Sequence, residues 1–250
     1  MSIITLLTDF GTADGYVAEV KAVLLSHAPG STLVDISHHI PPGNVRTGQY
    51  LLSRTWPRFP PGTVHLAVVD PGVGTSRRAL AALSAGHRFV GPDNGLISVL
   101  ADDARFVSLP ILRDASPTFH ARDVFAPAAA RLALGARLEE LGTAIADPTT
   151  LALPAPRADG GMIVGEVVHV DRFGNLVSNI PCDLLTRGAR ITVAGGVVGE
   201  LRRTFGDVVS GRLVAYCGSA GTVEVAVRDG SATELLGVGA GTPVTAQGAP

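Results

Sequence analysis

The chain has 250 residues, and its 20 lysine and arginine residues against 22 aspartate and glutamate residues give a formal charge of −2. A balance so close to neutral argues against the basic field of a surface that binds nucleic acid or anionic membranes. No apolar run approaches the roughly 18 residues of a membrane-spanning helix, and the amino-terminal stretch lacks the basic residues of a signal peptide. We therefore expect a cytoplasmic protein with no nucleic-acid partner and no membrane contact.

The first 150 residues alternate between two hydrophobic periods. Asp14 and Asn44 precede two of the helical segments and are predicted to be their N-caps. Strands that alternate with helices favour a mostly parallel sheet with helices on both faces, so residues 1–150 are predicted to form an N-terminal α/β domain. The predicted strands are 3–8, 32–36, 63–69, 79–84, 88–90 and 106–109, and the predicted helices are 15–27, 45–55, 95–101 and 123–134.

Beyond a linker at 147–161, which is rich in proline, alanine and glycine, the pattern changes to short strands. Ala194-Gly195-Gly196 is a hairpin signal. Residues 151–250 are therefore predicted to form a smaller domain, an antiparallel β-barrel or sandwich. Cys182 and Cys217 lie far apart without CxxC spacing, so we expect neither a disulfide scaffold nor a thiolate zinc site. The predicted strands are 162–170, 176–180, 190–193, 197–201, 213–216, 223–227 and 243–246.

Polar residues concentrate where predicted strands end. Asp9 and Asp14 follow the first strand, Asp70 opens a glycine-rich loop that runs to Arg77, and His120 stands just before the last helix of the first domain. Ligands of parallel α/β sheets bind at the carboxyl ends of the strands. Each residue taken alone also fits a turn, a cap or a solvated surface position. Two further polar clusters, 171–175 and 216–219, lie in the second domain.

Three of these residues suggest a reaction when they are taken together. Asp70 and Arg77 are seven residues apart across a glycine-rich loop and can fold back into a carboxylate–guanidinium pair. With the imidazole of His120 they could orient one water molecule, which suits hydrolysis without a metal or a covalent nucleophile. The nucleotide-binding patterns GxGxxG and GxxxxGK[ST] and the hydrolase elbow GxSxG do not occur, and the His38-His39 pair lacks the HxxxH spacing of a metal site.

At these positions the chain resembles a known family. The strings LLTDFGTADGYV, HLAVVDPGVGTSRR, VGPDNGLI, TFHARDVFAPAAA, HVDRFGNLVSNI and YCGSAG are similar to those of the S-adenosyl-L-methionine (SAM) hydroxide adenosyltransferases. These enzymes, also called SAM hydrolases, are the hydrolytic relatives of the SAM-dependent fluorinase and chlorinase. The resemblance runs in order from about residue 3 to residue 237, and it is the six spaced motifs together that make it specific.

The resemblance implies an enzyme that converts SAM and water into adenosine and methionine, with SAM as substrate and no cofactor. It implies an N-terminal α/β domain, a C-terminal β-barrel and a homotrimer whose active sites lie between subunits. The catalytic residues implied are Asp70, Arg77 and His120. The halogenases have tyrosine at the position of Asp70, serine or glycine at that of Ala121, and neither the arginine nor the histidine. The chain therefore resembles a hydrolase rather than a halogenase, and an anionic Asp70 would also repel a halide.

The resemblance also implies a set of substrate contacts. Asp9 matches the carboxylate that binds the ribose hydroxyls, which is a charge-assisted contact, and Asp14 and Asp171 match groups near the amino end of the methionine. Gly43 stands where the halogenases carry a tryptophan. The remaining residues implied to bind SAM or adenosine are Asp70, Phe173, Asn175, Tyr216, Ser219, Glu224 and Val227.

Three other interpretations stay open at this point. A metal-dependent nucleoside or phosphate hydrolase would use Asp9, Asp70 and His120 as ligands, and its activity would be sensitive to EDTA. A non-catalytic SAM- or adenosine-binding protein would bind without turnover. A purely structural α/β protein would leave the six polar motifs unexplained.

Overall fold

The computed structural model describes residues 2–100 and 103–248. Its internal contacts divide the chain into two compact units, Met1–Ala152 and Leu153–Pro250. Within the described ranges, no helix is both long enough and apolar enough to cross a membrane.

The first unit is built on a seven-stranded sheet with the strand order β2-β1-β3-β5-β4-β6-β7. Short 3-10 turns follow α2 and α3, and a π-helical turn over Ala121–Phe125 leads into α3. The elements are β1 (Ile3–Thr8), α1 (Tyr16–His27), β2 (Thr32–Ser37), α2 (Val45–Thr55), β3 (Val64–Val68), β4 (Ala79–Ser84), β5 (His87–Pro92), β6 (Arg105–Leu109), α3 (Ala126–Ala133) and β7 (Thr143–Ile145).

The sheet is parallel in one half and antiparallel in the other. Strands β2, β1, β3 and β5 pair in parallel, whereas β4 pairs antiparallel with both β5 and β6, and β6 with β7. The prediction of an α/β domain is confirmed, but half of the pairings described are antiparallel. The physical reason is the tight turn at Ala85-Gly86, where both residues have positive φ angles and β4 reverses directly into β5.

Helices cover both faces of this sheet, as predicted. On one face α1 and α3 bury apolar side chains against β1 and β3, with Leu24 and Leu132 almost fully excluded from solvent. On the other face α2 buries Leu52 against residues such as Leu80 and Phe89. Alternate residues of a strand point to opposite faces, which is why two separate apolar clusters flank one sheet.

Two local predictions differ from the structure. The N-cap of α1 is Gly15 and not Asp14, whose side chain caps nothing there, whereas Asn44 does cap α2 by accepting a hydrogen bond from the Thr47 amide at 3.0 Å. Residues 95–100 form turns instead of a helix, and residue 101 lies outside the described residues. Gly95 has a φ angle of +89°, which disfavours helical continuation there.

The second unit is a closed barrel of seven strands. The strands run β10-β14-β13-β12-β11-β15-β9, and β9 pairs with β10 to close the ring. Ala194 and Gly195 both have positive φ angles and form the predicted hairpin between β11 and β12. One pairing, between β12 and β13, is parallel. The elements are β8 (Arg157–Asp159), β9 (Met162–Val170), β10 (Leu176–Pro181), β11 (Arg190–Val193), β12 (Gly196–Arg202), β13 (Leu213–Cys217), β14 (Thr222–Val227), α4 (Ala232–Leu236) and β15 (Pro243–Gln247).

A disulfide joins Cys182 to Cys217, so the expectation of no disulfide is wrong. Cys182 follows β10 and Cys217 ends β13, and both strands pair with β14. The barrel thus brings the two Cα atoms to 6.1 Å, although 35 residues separate them in the chain. That Cα separation is ordinary for a disulfide.

Candidate active site

The first unit brings Asp9 and Asp70 to the same edge of its sheet. Strands β1 and β3 are parallel neighbours with Thr8 opposite Val68, and each carboxylate follows the end of its strand. The chain then turns through residues 70–77, called here the catalytic loop, before it enters β4. Gly74 in this loop has a φ angle of +77°, and a Cβ there would lie 2.6 Å from the Pro117 carbonyl oxygen. Only glycine permits this close approach to the segment that leads to His120.

Asp70 and Arg77 form a two-pronged ion pair inside this edge. Nε of Arg77 donates to Oδ1 of Asp70 at 2.9 Å, and Nη2 of Arg77 donates to Oδ2. Their side chains are only 6% and 9% exposed, respectively, so solvent screens the pair weakly. The guanidinium also lies over the ring of Phe125, 5.3 Å from its centroid. The fork geometry fixes the plane of the carboxylate as well as its position.

Arg77 also reaches His120, which is 4% exposed and stands at the start of the π-helical turn. Nη2 of Arg77 lies 2.9 Å from Nδ1 of His120. Arginine has only donors, so Nδ1 must be the acceptor and carries no proton. His120 is therefore held as the neutral tautomer with its proton on Nε2. One guanidinium thus connects the carboxylate and the imidazole.

The surroundings of His120 favour this neutral form. Burial lowers the pKa of His120 below its usual value, and the positive charge of Arg77 lowers it further. The carboxylates of Asp70 and Asp123 act in the opposite direction, but the net shift is downward. Asp123 itself is held by Arg122 and by the Ser116 amide, which donates to it at 2.8 Å.

Asp9 is half-buried near the start of α2. Its Oδ2 atom accepts a hydrogen bond from the Gly43 amide at 2.8 Å. Gly43 has a φ angle of +71°, a conformation that costs other residues about 1–3 kcal/mol. The backbone turn that orients the Asp9 carboxylate therefore explains why residue 43 is glycine. Sequence reasoning missed this role.

Asp14 is exposed in the loop before α1, directly before the Gly15 N-cap. An aromatic cluster of Phe10, Tyr16 and Phe119 joins this loop to the segment before His120, with the rings of Tyr16 and Phe119 5.3 Å apart. Tyr16 is 49% exposed, so one side of the cluster faces solvent. The sequence motifs contained these aromatic residues, but spacing alone did not identify their contact.

In the second unit, Asp171 organises the loop that carries Phe173 and Asn175. Oδ1 of Asp171 accepts from the amides of Phe173 and Asn175, both at 2.9 Å, and Oδ2 accepts from Nδ2 of Asn175 at 2.8 Å. Three hydrogen bonds to one carboxylate fix a turn that leaves Phe173 76% exposed. Asp171 therefore holds this loop in shape.

A pocket of about 630 Å³ opens beside this loop. That volume is typical of small-molecule sites. Burial raises the pKa of Tyr216, and the negative charge of Glu224 and a hydrogen bond to it act in the same direction. All seven second-domain residues implied by the resemblance line the pocket, and sequence reasoning missed Phe205, whose ring packs against Tyr216. The lining comprises Asp171, Phe173, Asn175, Phe205, Tyr216, Ser219, Glu224, Ala226, Val227, Arg228, Asp229 and Gly230.

The glycine of the Tyr216-Cys217-Gly218-Ser219 motif allows part of this pocket to form. A Cβ at Gly218 would overlap the carboxylate of Glu224. Any larger residue would push Glu224 out of the position it has against the end of β13. Within the described residues, no group of three or more histidine, cysteine, aspartate or glutamate side chains is arranged to hold a metal ion.

A buried carboxylate, guanidinium and imidazole at the strand ends of the first unit, and a pocket of about 630 Å³ in the second unit, are features of a small-molecule enzyme. Two family profiles match the chain: the SAM hydroxide adenosyltransferase N-terminal domain at residues 4–142, and the C-terminal domain at residues 165–245. The chain belongs to the SAM hydroxide adenosyltransferase family.

Individual relatives agree with this assignment. A protein of Thermus thermophilus named (R)-S-adenosyl-L-methionine hydrolase is 46% identical, covering 95% of this chain and 96% of its own length. A protein of the same name from Salinispora tropica is 43% identical over 94% of each chain. A fluorinase from an Actinoplanes species is 31% identical over 71% of each chain. The crystal structure of an uncharacterized conserved protein from Thermotoga maritima superposes with a TM-score of 0.90 at 36% identity, covering 98% of this chain and 99% of that one.

Proposed function

We propose that this protein hydrolyses SAM to adenosine and L-methionine by attack of water on the ribose C5′ atom. The observation that carries the proposal is the buried contact of one guanidinium with both a carboxylate and an imidazole. Full-length relatives that are named SAM hydrolases support it. A fluorinase is a more distant relative. A halide would need space and positive potential, whereas Asp70 and Arg77 form an ion pair there, which argues against halogenation.

The chemical difficulty lies with the nucleophile. The sulfonium of SAM is cationic, and methionine departs from it as a neutral thioether. The leaving group therefore needs no proton. Bulk water has a pKa of about 15.7 against about 6.5 for histidine, and complete deprotonation before attack would cost on the order of 12 kcal/mol at 1.36 kcal/mol per unit. The proton must therefore leave as the C–O bond forms. Orientation of the water behind C5′ is then the main contribution of the protein.

The hydrogen bonds of the triad suggest how the roles divide. Nδ1 of His120 already accepts from Arg77, and its Nε2 atom carries the proton, so neutral His120 has no free ring nitrogen that could accept a proton. Each oxygen of Asp70 accepts from Arg77 and keeps a second lone pair. We therefore assign Asp70 as the group toward which the proton of water moves. Arg77 stabilises the hydroxide character, and His120 holds Arg77 in place.

The substrate contacts follow the same proposal. The Gly43 amide holds the Asp9 carboxylate, which we propose binds the ribose hydroxyls. Asp14 and Asp171 are proposed to lie near the amino end of the methionine. The nucleoside lies against the lining of the 630 Å³ pocket of the second unit, where Phe173 and Phe205 offer aromatic surface and Asn175 and Glu224 offer polar groups. The other proposed contacts there are Tyr216, Ser219 and Val227.

Several finer properties belong to the proposal. We assign the (R) epimer at sulfur as the preferred substrate, because four relatives between 37% and 46% identical carry that epimer in their names. The reaction uses no cofactor and no metal, because the substrate carries its own leaving group. We place the enzyme in the cytoplasm, where SAM is made and consumed. A homotrimer with sites between subunits, as in the resembling family, is the proposed assembly.

The decisive experiment is incubation of the purified protein with the separated (R) and (S) epimers of SAM, followed by chromatography for adenosine and methionine. We expect release from the (R) epimer, unchanged by EDTA. Loss of activity with EDTA would favour a metal-dependent hydrolase, and binding without release would favour a SAM-binding protein. In Arg77→Ala we expect release to fall by about 10³-fold while calorimetry still detects SAM binding, and unchanged turnover would remove Arg77 from the mechanism.

The assembly can be tested separately. Light scattering should give three times the chain mass of 25.6 kDa. If the sites lie between subunits, mixing and refolding inactive Arg77→Ala with a second inactive variant, Glu224→Ala, should restore part of the activity. A monomeric protein with full activity would contradict this part of the proposal.

A further inference from the structure

The motif Val90-Gly91-Pro92-Asp93-Asn94 has no role in the proposed chemistry, yet it lies beside the catalytic loop. It contains the carboxyl end of β5, and β5 lies between β3 and β4 in the sheet. The catalytic loop leaves β3 and returns into β4. Both ends of the loop therefore flank the end of β5, where Asp93 and Asn94 follow the strand.

Asn94 holds the first end of the loop. Its Nδ2 atom donates to the carbonyl oxygen of Val69 at 2.8 Å, and Val69 directly precedes Asp70. Its Oδ1 atom accepts from the Leu96 amide at 3.2 Å, which orients the side-chain amide. The hydrogen bond to Val69 thus fixes the backbone from which the Asp70 carboxylate projects.

Asp93 holds the other end of the loop. Its amide donates to the Arg78 carbonyl oxygen at 2.9 Å, and its Oδ2 atom accepts from Nε of Arg78 at 2.6 Å. The same Arg78 carbonyl accepts from Nη1 of Arg77 at 3.4 Å. The Asp93 side chain is 3% exposed, and its second oxygen accepts from the Thr149 amide at 2.6 Å. The arginine of the triad therefore rests on a peptide that Asp93 holds.

We propose that Asp93 and Asn94 are positioning residues for the hydrolysis, because together they fix both ends of the catalytic loop so that Asp70 and Arg77 meet in one geometry. This inference rests on the proposed function. The loop contains Gly72 and Gly74, whose backbone freedom would otherwise let it adopt many conformations. Displacement of a catalytic group by about 1 Å can cost about 100-fold in rate.

The test uses the isosteric changes Asn94→Asp and Asp93→Asn in the full chain. Asn94→Asp keeps the acceptor for Leu96 and removes the donor to Val69. Asp93→Asn keeps an acceptor for Thr149 and removes the charge that faces Arg78. For each variant we expect kcat to fall 10- to 100-fold while the Kd for adenosine, measured by calorimetry, stays within twofold. Arg78→Lys, at a partly exposed side chain, is the substitute if Asp93→Asn does not fold.

Asp103→Asn provides a matched control. Asp103 accepts hydrogen bonds from Ser84 Oγ at 2.9 Å and from the Ala85 amide at 3.1 Å, so it holds the turn at the opposite end of β4 and β5. The Asp103→Asn variant should have a lower melting temperature than the wild type and a kcat within twofold of the wild-type value. Equal losses of kcat in Asp103→Asn and Asn94→Asp would show that general destabilisation explains both, and would overturn the inference.

A second readout separates positioning from stability. Adding Asn94→Asp to the Arg77→Ala variant should not lower its residual rate further. The Asp70–Arg77 geometry that Asn94 maintains is already lost in Arg77→Ala. Amide exchange should accelerate at Val73 and Thr75, which donate to Asp70 and Gly72 within the loop. Full additivity of the two substitutions, or a wild-type kcat in both positioning variants, would overturn the inference. An inactive wild-type protein would instead contradict the proposed function itself.

Discussion

Nη2 of Arg77 lies 2.9 Å from Nδ1 of His120, and the same atom donates to Oδ2 of Asp70. The imidazole and the carboxylate are thus linked through a cation and not directly. This differs from a catalytic triad in which a histidine removes a proton from a nucleophile, because here the nitrogen that faces the cation is already used as an acceptor. His120 is therefore better suited to fix Arg77 than to act as the base.

The first prediction separates these two roles of His120. Asparagine can place an amide oxygen near the position of Nδ1, so His120→Asn should keep the acceptor for Arg77 and lose less than about tenfold in kcat. His120→Leu removes the acceptor, and the loss of a hydrogen bond to a charged group predicts a fall of roughly 10- to 100-fold. Steady-state adenosine release measures both. Equal and complete loss in the two variants would favour His120 as the base.

The second prediction concerns pH. Burial and the charge of Arg77 lower the pKa of His120, so the ring stays neutral to a lower pH than an ordinary histidine does. Protonation would remove the acceptor on Nδ1 and place a second cation beside Arg77. The acid limb of kcat/KM should therefore lie below pH 6.5. In an NMR titration, Arg77→Met should raise the pKa of His120, and an unchanged value would mean that the two side chains do not interact in solution.

The third prediction concerns stability in acid. His65 is fully buried, and Nε2 of His65 lies 3.1 Å from Nδ1 of His87. Burial, assisted by His87, lowers the pKa of His65 to about 3. The unfolded chain therefore binds the proton at higher pH than the folded chain does, so stability is complete above pH 6.5 and falls as the pH decreases toward 3. At pH 5 the loss from His65 is about 2 kcal/mol at 1.36 kcal/mol per unit.

Urea unfolding at pH 5 and pH 7 measures this loss. His65→Phe should reduce the pH dependence, because phenylalanine cannot take up a proton in the unfolded state. His27→Gln, at an exposed position, is the matched control and should retain it. A pH dependence that is the same in His65→Phe as in the wild type would assign the effect to other groups.

The fourth prediction addresses the loop of the second unit. Asp171→Ala removes the acceptor of three hydrogen bonds and should release Phe173 and Asn175 from their positions. We expect KM for SAM to rise by about tenfold or more, since each lost hydrogen bond to a charged group is worth roughly 1.5–3 kcal/mol before relaxation. Asp183→Ala, in the turn after β10, is the control. A selective fall in kcat with KM unchanged would contradict a role in ordering the loop.

The fifth prediction uses the disulfide between Cys182 and Cys217. It closes a loop of 35 residues, and the chain-entropy relation gives about 4 kcal/mol of stabilisation when the bond is formed. Reduction with a phosphine should therefore lower the urea midpoint of the wild type and leave that of a Cys182→Ser/Cys217→Ser variant unchanged. A wild-type midpoint that does not respond to reductant would show that the protein does not carry the bond under the conditions tested.

Sequence by itself determined most of the elements and their order, although β7, β8 and α4 were not predicted and residues 95–100 form turns in place of the predicted helix. Strands such as β1 and β3 are short apolar runs, and α2 has both a helical period and an asparagine cap, so local spacing was enough to locate them. All seven strands of the barrel were predicted because turn residues separate them. The six spaced motifs were enough to suggest the family, which the profiles confirm.

Tertiary structure decided what depends on residues far apart in the chain. The antiparallel course of β4, the approach of Cys182 to Cys217, and the placement of Asp93 and Asn94 between the two ends of the catalytic loop all follow from which strands become neighbours. The protonation state of His120 depends on a donor 43 positions away in the chain. Hydrophobic period is a local property, whereas strand adjacency, burial and charge proximity are set only when the whole sheet has formed.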